Sequence, residues 1–307
     1  MTDQIKKYLF PDHSTRVQAV RITDAWASGL AHQACPDCVV PLLGELAAAA
    51  VLLASNIKFD GALVLQLQGN GPVALMVAEC RTDLSIRATA TLREGRTVPD
   101  QGSLQSLFNA DGEGRFSVIL DPEDRKKTSG MQPYQGVVPL DGDTIADVLA
   151  HYMRHSEQLD TQLWLAADAT RASGLLVQRL PHEGGQGVNA DPDDGWLRAC
   201  HLAGTVRRDE LLSLDTDPLI HRLFWQESLI AHEPGDVRWH CPCSRARVGN
   251  MLRMLGRDEI DSILEERSQI DISCNFCGKP YVFDAIDCAR LFLEPAATPL
   301  DSASSLH

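Results

Sequence analysis

The 307-residue sequence has no apolar run long enough to cross a bilayer. Its most apolar stretch, Val39 to Ala54, is broken by Pro41 and Glu45 and falls short of the roughly 20 residues a spanning helix needs. Its opening, Met1-Thr-Asp-Gln-Ile-Lys-Lys-Tyr-Leu-Phe10, lacks the apolar core of a secretion signal, so a cytoplasmic protein with no membrane partner is expected. Positive charge is scarce: 28 Lys and Arg face 42 Asp and Glu, and a formal charge of −14 offers no field to attract nucleic acid. Repeats of fixed period are missing, as are a catalytic triad, paired carboxylates and a nucleotide-binding loop, and a non-enzyme is expected. Gly69-Asn-Gly71 has neither a following Lys nor a helix start, and reads as a turn rather than a phosphate cradle.

What is present is globular composition, 44% hydrophobic and 23% charged, which excludes disorder. Val39 to Ser55 reads as a buried helix starting near Pro41. Leu63, Leu65 and Leu67 alternate before the Gly69 to Pro72 turn, and an apolar run from Val73 to Cys80 completes a β-hairpin. Further strands are expected at Leu84 to Leu92, Phe116 to Leu120, Leu163 to Ala166 and Leu175 to Leu180, with a charged loop from Asp121 to Lys127. Asp143 reads as the N-cap of a helix that presents Ile145, Val148, Leu149 and Tyr152 on one face. His151 and His155 lie one turn apart on it, without the Glu of a metalloprotease motif, and read as solvent-facing.

These elements predict an α+β protein: an N-terminal domain of antiparallel sheet with helices (residues 1–182), a flexible or helical linker (183–237), a small C-terminal zinc-binding α+β module (238–295) and a tail (296–307). The linker opens on turn formers from His182 to Gly195. It then carries apolar anchors at Leu211, Leu212, Leu219, Ile220, Leu223, Phe224 and Trp225, whose face must rest on another surface.

Nine cysteines in a reducing compartment point to thiols, metal ligands or redox switches rather than structural bridges. Cys241-Pro-Cys243 and Cys274-Asn-Phe-Cys277 are the most specific signal, because two close thiol pairs can surround one zinc ion tetrahedrally if the chain between them doubles back. Val248, Met251, Leu252 and Leu255 have helical spacing, Ile260, Ile263 and Leu264 continue as a second helix after Gly256, and Tyr281 to Phe283 reads as a strand. Gly278 is expected at positive φ, turning backbone N–H groups toward the sulfurs. A module of roughly sixty residues is marginal on burial alone, so metal would supply much of its folding energy. The site is either a closed staple or a switch, and a C-x-C pair that can close only as a strained, reducible ring favours the switch.

The sequence closely resembles the heat-shock protein 33 family of redox-regulated holdase chaperones. The resemblance runs through Lys7-Tyr-Leu-Phe10, Lys58-Phe-Asp-Gly61, Leu65-Gln-Leu-Gln-Gly-Asn-Gly-Pro72, Tyr134-Gln-Gly-Val-Val138, Ser156-Glu-Gln-Leu159, Cys241-Pro-Cys-Ser-Arg245 and Cys274-Asn-Phe-Cys277. It implies one zinc per chain in a reduced, inactive form, held by Cys241, Cys243, Cys274 and Cys277. It further implies disulfides Cys241–Cys243 and Cys274–Cys277 on oxidation, with zinc release, partial unfolding, homodimerisation, capture of unfolding client proteins without ATP, and reversal by thioredoxin- or glutaredoxin-type reductants. Cys35-Pro-Asp-Cys38 lies outside that pattern and supports a rival, a thiol-disulfide oxidoreductase, although incidental thiols are the simpler reading. Cys80, Cys200 and Cys288 read as buried or inert, and His240 as a poor substitute for a sulfur. A second rival is a zinc-stapled binding module using Arg245, Arg247, Arg253 and Arg257, whose charge is offset by Asp258, Glu259, Asp261, Glu265 and Glu266.

Overall fold

A computed structural model describes residues 3–58, 60–122, 134–181 and 192–293, and the chain separates into two compact units, Met1–His240 and Cys241–His307. The first unit begins with strands β1 (Gln4–Leu9) and β2 (Thr15–Ile22) and helices α1 (Asp24–Leu30) and α2 (Val40–Ala54). β3 (Gly61–Gln68), β4 (Val73–Arg81), β5 (Ser85–Leu92), α3 (Leu104–Phe108), β6 (Arg115–Pro122) and β7 (Tyr134–Pro139) follow. Next come α4 (Ile145–His155), β8 (Thr161–Ala167) and β9 (Ala172–Arg179). The unit ends with α5 (Pro192–Ala203), α6 (Arg208–Ser213), α7 (Thr216–Phe224) and three two-residue strands, β10 (Ile230–Ala231), β11 (Gly235–Asp236) and β12 (Arg238–Trp239).

The strands form two sheets rather than one. The first runs β10-β1-β2-β9-β8, with β11 also on β1, and the second runs β12-β5-β4-β3-β6-β7. Every described pairing in these sheets is antiparallel except that of β12 with β5. α2 lies between the sheets, packing on β2, β8 and β9 on one side and on β3, β4 and β5 on the other. That position explains a helix apolar all round but for Glu45, which pairs with Arg208, with twelve of its fifteen residues buried. Pro41 fits its first turn, where no N–H is needed. The hairpin of β3 and β4 forms as the alternation predicts. Its glycines serve close approach: Asn70 N donates to Phe108 O at 3.0 Å, and a Cβ on Gly69 would sit 1.7 Å from that oxygen.

The N-cap of α4 is Thr144, not Asp143. Thr144 Oγ1 accepts from Asp147 N at 3.1 Å while the Asp147 carboxylate accepts from Thr144 N at 3.0 Å, a reciprocal pair that Asp143 is one residue too early to make. His151 and His155 are both exposed, and His151 Nδ1 lies 3.2 Å from the Asp141 carbonyl oxygen.

The first sheet is apolar on both faces, because odd and even positions of its strands point to opposite sides. Val20, Ile22 and Leu176 face the core around α2. Tyr8, Phe10, Val17, Ala19, Ala166, Leu175 and Val177 face the other way and are covered by Trp196, Ala199, Ala203, Leu211, Leu219, Ile220, Leu223 and Phe224 of α5, α6 and α7. Residues 192–240, mostly read as linker, thus belong to the same compact unit as the sheets. Trp225 is the outlying anchor, 67% exposed. Residues 123–127 of the charged loop, 182–191 of the Gly-rich break and the tail lie outside the described residues.

The second unit comprises α8 (Arg245–Leu255), α9 (Arg257–Glu266), β13 (Gln269–Ser273), β14 (Pro280–Asp284) and α10 (Ala285–Leu293), with β13 and β14 paired antiparallel. Its core is small: Leu252, Ile260, Ile270, Tyr281, Phe283 and Cys288. Met251 and Leu255, expected on the buried face of α8, are 42% and 53% exposed. The inward stripe is instead Val248, Gly249 and Leu252, where a Cβ on Gly249 would meet Leu291 of α10 at 2.8 Å.

Candidate metal centre

Cys241 and Cys243 lie in the extended stretch before α8, and Cys274 and Cys277 in the turn joining β13 to β14. The turn is tight because Gly278 N donates to Cys274 O at 2.8 Å and Cys274 N to Lys279 O at 3.0 Å, with Gly278 at φ +65° as its conformational freedom allows. Ser244 caps α8 by accepting from Arg247 N at 3.3 Å, which fixes where the extended stretch ends. Arg245 ties that end down: it donates to Val282 O and to Asp287, both at 2.6 Å, and stacks over the Phe283 ring at 4.2 Å.

The four sulfurs all lie within 4.8 Å of one another, the only such group of His, Cys, Asp or Glu ligand atoms found among the described residues. Cys241 Sγ is 3.6 Å from Cys274 Sγ, and Cys243 Sγ is 3.3 Å from Cys277 Sγ. A tetrahedral site with metal–sulfur bonds of about 2.3 Å needs sulfurs about 3.8 Å apart, so this cluster can hold a metal ion with small adjustments. His240 is exposed and outside the group.

The electrostatics favour a cation. Burial resists ionisation of Cys243, but hydrogen bonds from the Tyr281 hydroxyl, at 3.1 Å, and from neighbouring thiols bring its thiol down to about 7. Burial raises Cys277 to about 12, partly countered by the Lys279 N–H and reinforced by the sulfurs around it. Cys241 is also raised, by burial first. Four sulfurs this close cannot all carry charge unless a cation offsets it. Tyr281 is the functional contact the sequence reading missed. Its place in Tyr281-Val-Phe283 signalled only a strand, yet its hydroxyl supports a sulfur as outer partners do in metal sites.

The other thiols are set apart. Burial pushes Cys35 up to about 11 and raises Cys38, whose Sγ donates to Pro99 O at 3.1 Å, so neither is a ready thiolate. Cys80 and Cys288 are buried, and burial raises Cys200 to about 11. Arg253 donates to Leu291 O at 2.5 Å and Arg257 pairs with Asp261 at 3.5 Å, so with Arg245 three of the four arginines are engaged within the module. No helix among the described residues is long and apolar enough to cross a membrane.

The sequence profile of the family described as Hsp33 protein matches residues 3–284. The chain is 44% identical over 302 residues to the 33 kDa chaperonin of Methylobacillus flagellatus, covering 97% of each, and 40% identical over 291 residues to that of Chromobacterium violaceum, covering 94% of each. The crystal structure of the 33 kDa chaperonin, a heat shock protein 33 homologue, from Thermotoga maritima shares the fold at a TM-score of 0.76 and 20% identity, over 95% of this chain and 98% of that one. The relatives are named as chaperonins rather than as enzymes, in line with the expectation of a non-enzyme. With a family profile spanning nearly its whole length and relatives aligned end to end, the chain belongs to the Hsp33 family.

Proposed function

We propose that the chain is a redox-regulated, ATP-independent holdase of the cytoplasm. In this reading it rests with one zinc ion on Cys241, Cys243, Cys274 and Cys277, and oxidation turns it into a binder of unfolding proteins. The observation that carries the reading is the gathering of four sulfurs in a module whose core, among the described residues, has six buried side chains. Bound zinc would hold the four sulfurs as thiolates and tie the start of the module to its hairpin, supplying folding energy that so small a core lacks.

Peroxide would take two electrons from each pair. A thiolate of Cys241 or Cys243 attacks an oxygen, displacing hydroxide and becoming a sulfenic acid. Its partner thiolate then attacks the sulfenic sulfur, displacing the oxygen as hydroxide, which takes a proton from solvent, and closes the disulfide. The same sequence joins Cys274 to Cys277. Sulfurs in disulfides no longer carry the charge that retains a divalent cation, and two local rings replace one long-range clip. The module unfolds, the connector of α5 to α7 loosens, and the apolar face of the first sheet is exposed to clients. The active form is a homodimer, and thioredoxin- or glutaredoxin-type reductants restore the thiols. Light scattering of an unfolding client tests this: oxidised, zinc-free protein should suppress aggregation and reduced, zinc-loaded protein should not, and equal performance of the two would overturn it.

The oxidoreductase reading on Cys35 and Cys38 gains nothing from thiols whose ionisation burial opposes.

A further inference from the structure

Residues 230–239 cover one edge of each sheet with strands only two residues long. β10 pairs with Tyr8 and Leu9 of β1, β11 with Gln4 and Ile5 of β1, and β12 with Ser85 and Ile86 of β5. Past Ile86 no described strand covers this side of β5, which continues to Leu92. β12 is held by Arg238 N to Leu84 O at 3.2 Å and His240 N to Ile86 O at 3.0 Å, and Val237 N donates to Asp3 O at 2.9 Å. Alternate side chains point inward. Val237 is 6% exposed, and Trp239 enters a cleft lined by Trp26, Gly29, Leu30, Leu43, Ile86 and Ala88. Between them Arg238 turns outward and pairs with Asp83.

The seat is shaped for an aromatic ring but does not satisfy this one. Gly29 leaves the room, since a Cβ there would lie 2.9 Å from Trp239 Cδ1, and His32 packs against the ring at 5.2 Å between centroids. Trp239 Nε1 is nevertheless buried with no hydrogen-bond partner among the described residues. Any chain segment with the same alternation could take the place of Val237 to Trp239, and an aromatic residue without a polar atom would leave nothing unpaired. Two residues after Trp239 comes Cys241, so the strap is continuous with the first thiol pair.

We propose that the cleft along β5 and beneath α1 is a binding site for an extended segment of unfolded polypeptide, carrying an apolar and an aromatic residue two positions apart around a basic one. Val237, Arg238 and Trp239 fill it in the resting chain as a tethered competitor. The proposal deepens the holdase reading and rests on it: loss of the metal-held module frees the strap, and the client adds to β5 as a strand. Backbone pairing gives it sequence tolerance, the cleft adds a preference for an aromatic residue, and Asp83 adds one for a basic neighbour.

The test uses the full chain and a fluorescent peptide, Pro234-Gly-Asp-Val-Arg-Trp-His240, with a photoreactive phenylalanine analogue in place of Trp239 for crosslinking. The oxidised chain should bind the peptide at least tenfold more tightly than the reduced, zinc-loaded chain. Unfolded client should displace it, crosslinks should fall on Gly29–Gln33 and Ile86–Ala88, and Val237→Asp with Trp239→Asp in the peptide should weaken binding at least tenfold. An oxidised chain that suppresses aggregation but ignores the peptide, or crosslinks it elsewhere, overturns the cleft and leaves the holdase reading standing. Peptide binding at the cleft without suppression of aggregation overturns the holdase reading instead. Occupation of the cleft by the strap of a second copy, seen as crosslinked dimers that exclude the peptide, also overturns the cleft as a client site.

Discussion

Phe224 is 3% exposed at the end of α7 and meets Phe10 edge-on, with ring centroids 6.4 Å apart at 88°. Phe224→Ala removes that ring from the layer between the connector and the first sheet while leaving every cysteine in place. Truncating a buried Phe costs about 3–5 kcal/mol, of which an aromatic pair accounts for about 0.5–1.5 kcal/mol. α7 has nine residues, fewer than the roughly 12–15 an isolated helix needs even to be marginal, so it depends on this packing. A loss of about 3 kcal/mol raises the population with an open connector by about 100-fold. Hydrogen exchange should show lost protection in α5 to α7 with β3 and β4 unchanged, and the reduced, zinc-loaded variant should suppress client aggregation without oxidant. Unchanged protection in α7, or opening with no holding activity, would refute the argument that this layer masks the client surface.

Acid should loosen the same layer. Asp217 of α7 accepts from Lys6 Nζ at 2.6 Å and Tyr8 Oη at 3.2 Å, and the Lys6 hydrogen bond and charge hold its carboxyl below the usual range. A depressed carboxylate contributes stability above its unfolded pKa of about 3.9 and loses it as pH falls through the lower folded value. Protection of α7, corrected for the intrinsic exchange rate at each pH, should therefore fall on acidification below about pH 4, and Asp217→Asn should flatten that dependence. Gly29→Ala should unseat Trp239 in the reduced chain and speed tryptic cleavage after Arg238 several-fold; unchanged cleavage would mean the ring is not held by that cleft. Cys35→Ser with Cys38→Ser should leave oxidant-induced holding within about twofold of the parent in light scattering, whereas its loss would return those thiols to the mechanism.

Much of the site was legible in the sequence because its signals are local. The two cysteine pairs, the positive φ of Gly278 and the β3–β4 hairpin each depend on residues a few positions apart. β1 and β2 carry no legible strand pattern, because Lys6 and Lys7 interrupt the alternation in one and both faces of the other are buried. A period-2 pattern vanishes when a strand is covered on both sides. β10, β11 and β12 are too short to show any period. The roles of Tyr281 and Arg245 depend on partners brought near only by folding of the hairpin and α10.

The central claim is that one metal ion on four thiolates holds the resting state. The most direct measurement follows metal content, helical circular dichroism and client aggregation on a single sample treated with peroxide at raised temperature. The account predicts loss of about one zinc per chain together with helix loss and a gain in holding activity, with Cys241 bonded to Cys243 and Cys274 to Cys277. Holding activity that rises while zinc stays bound would contradict it.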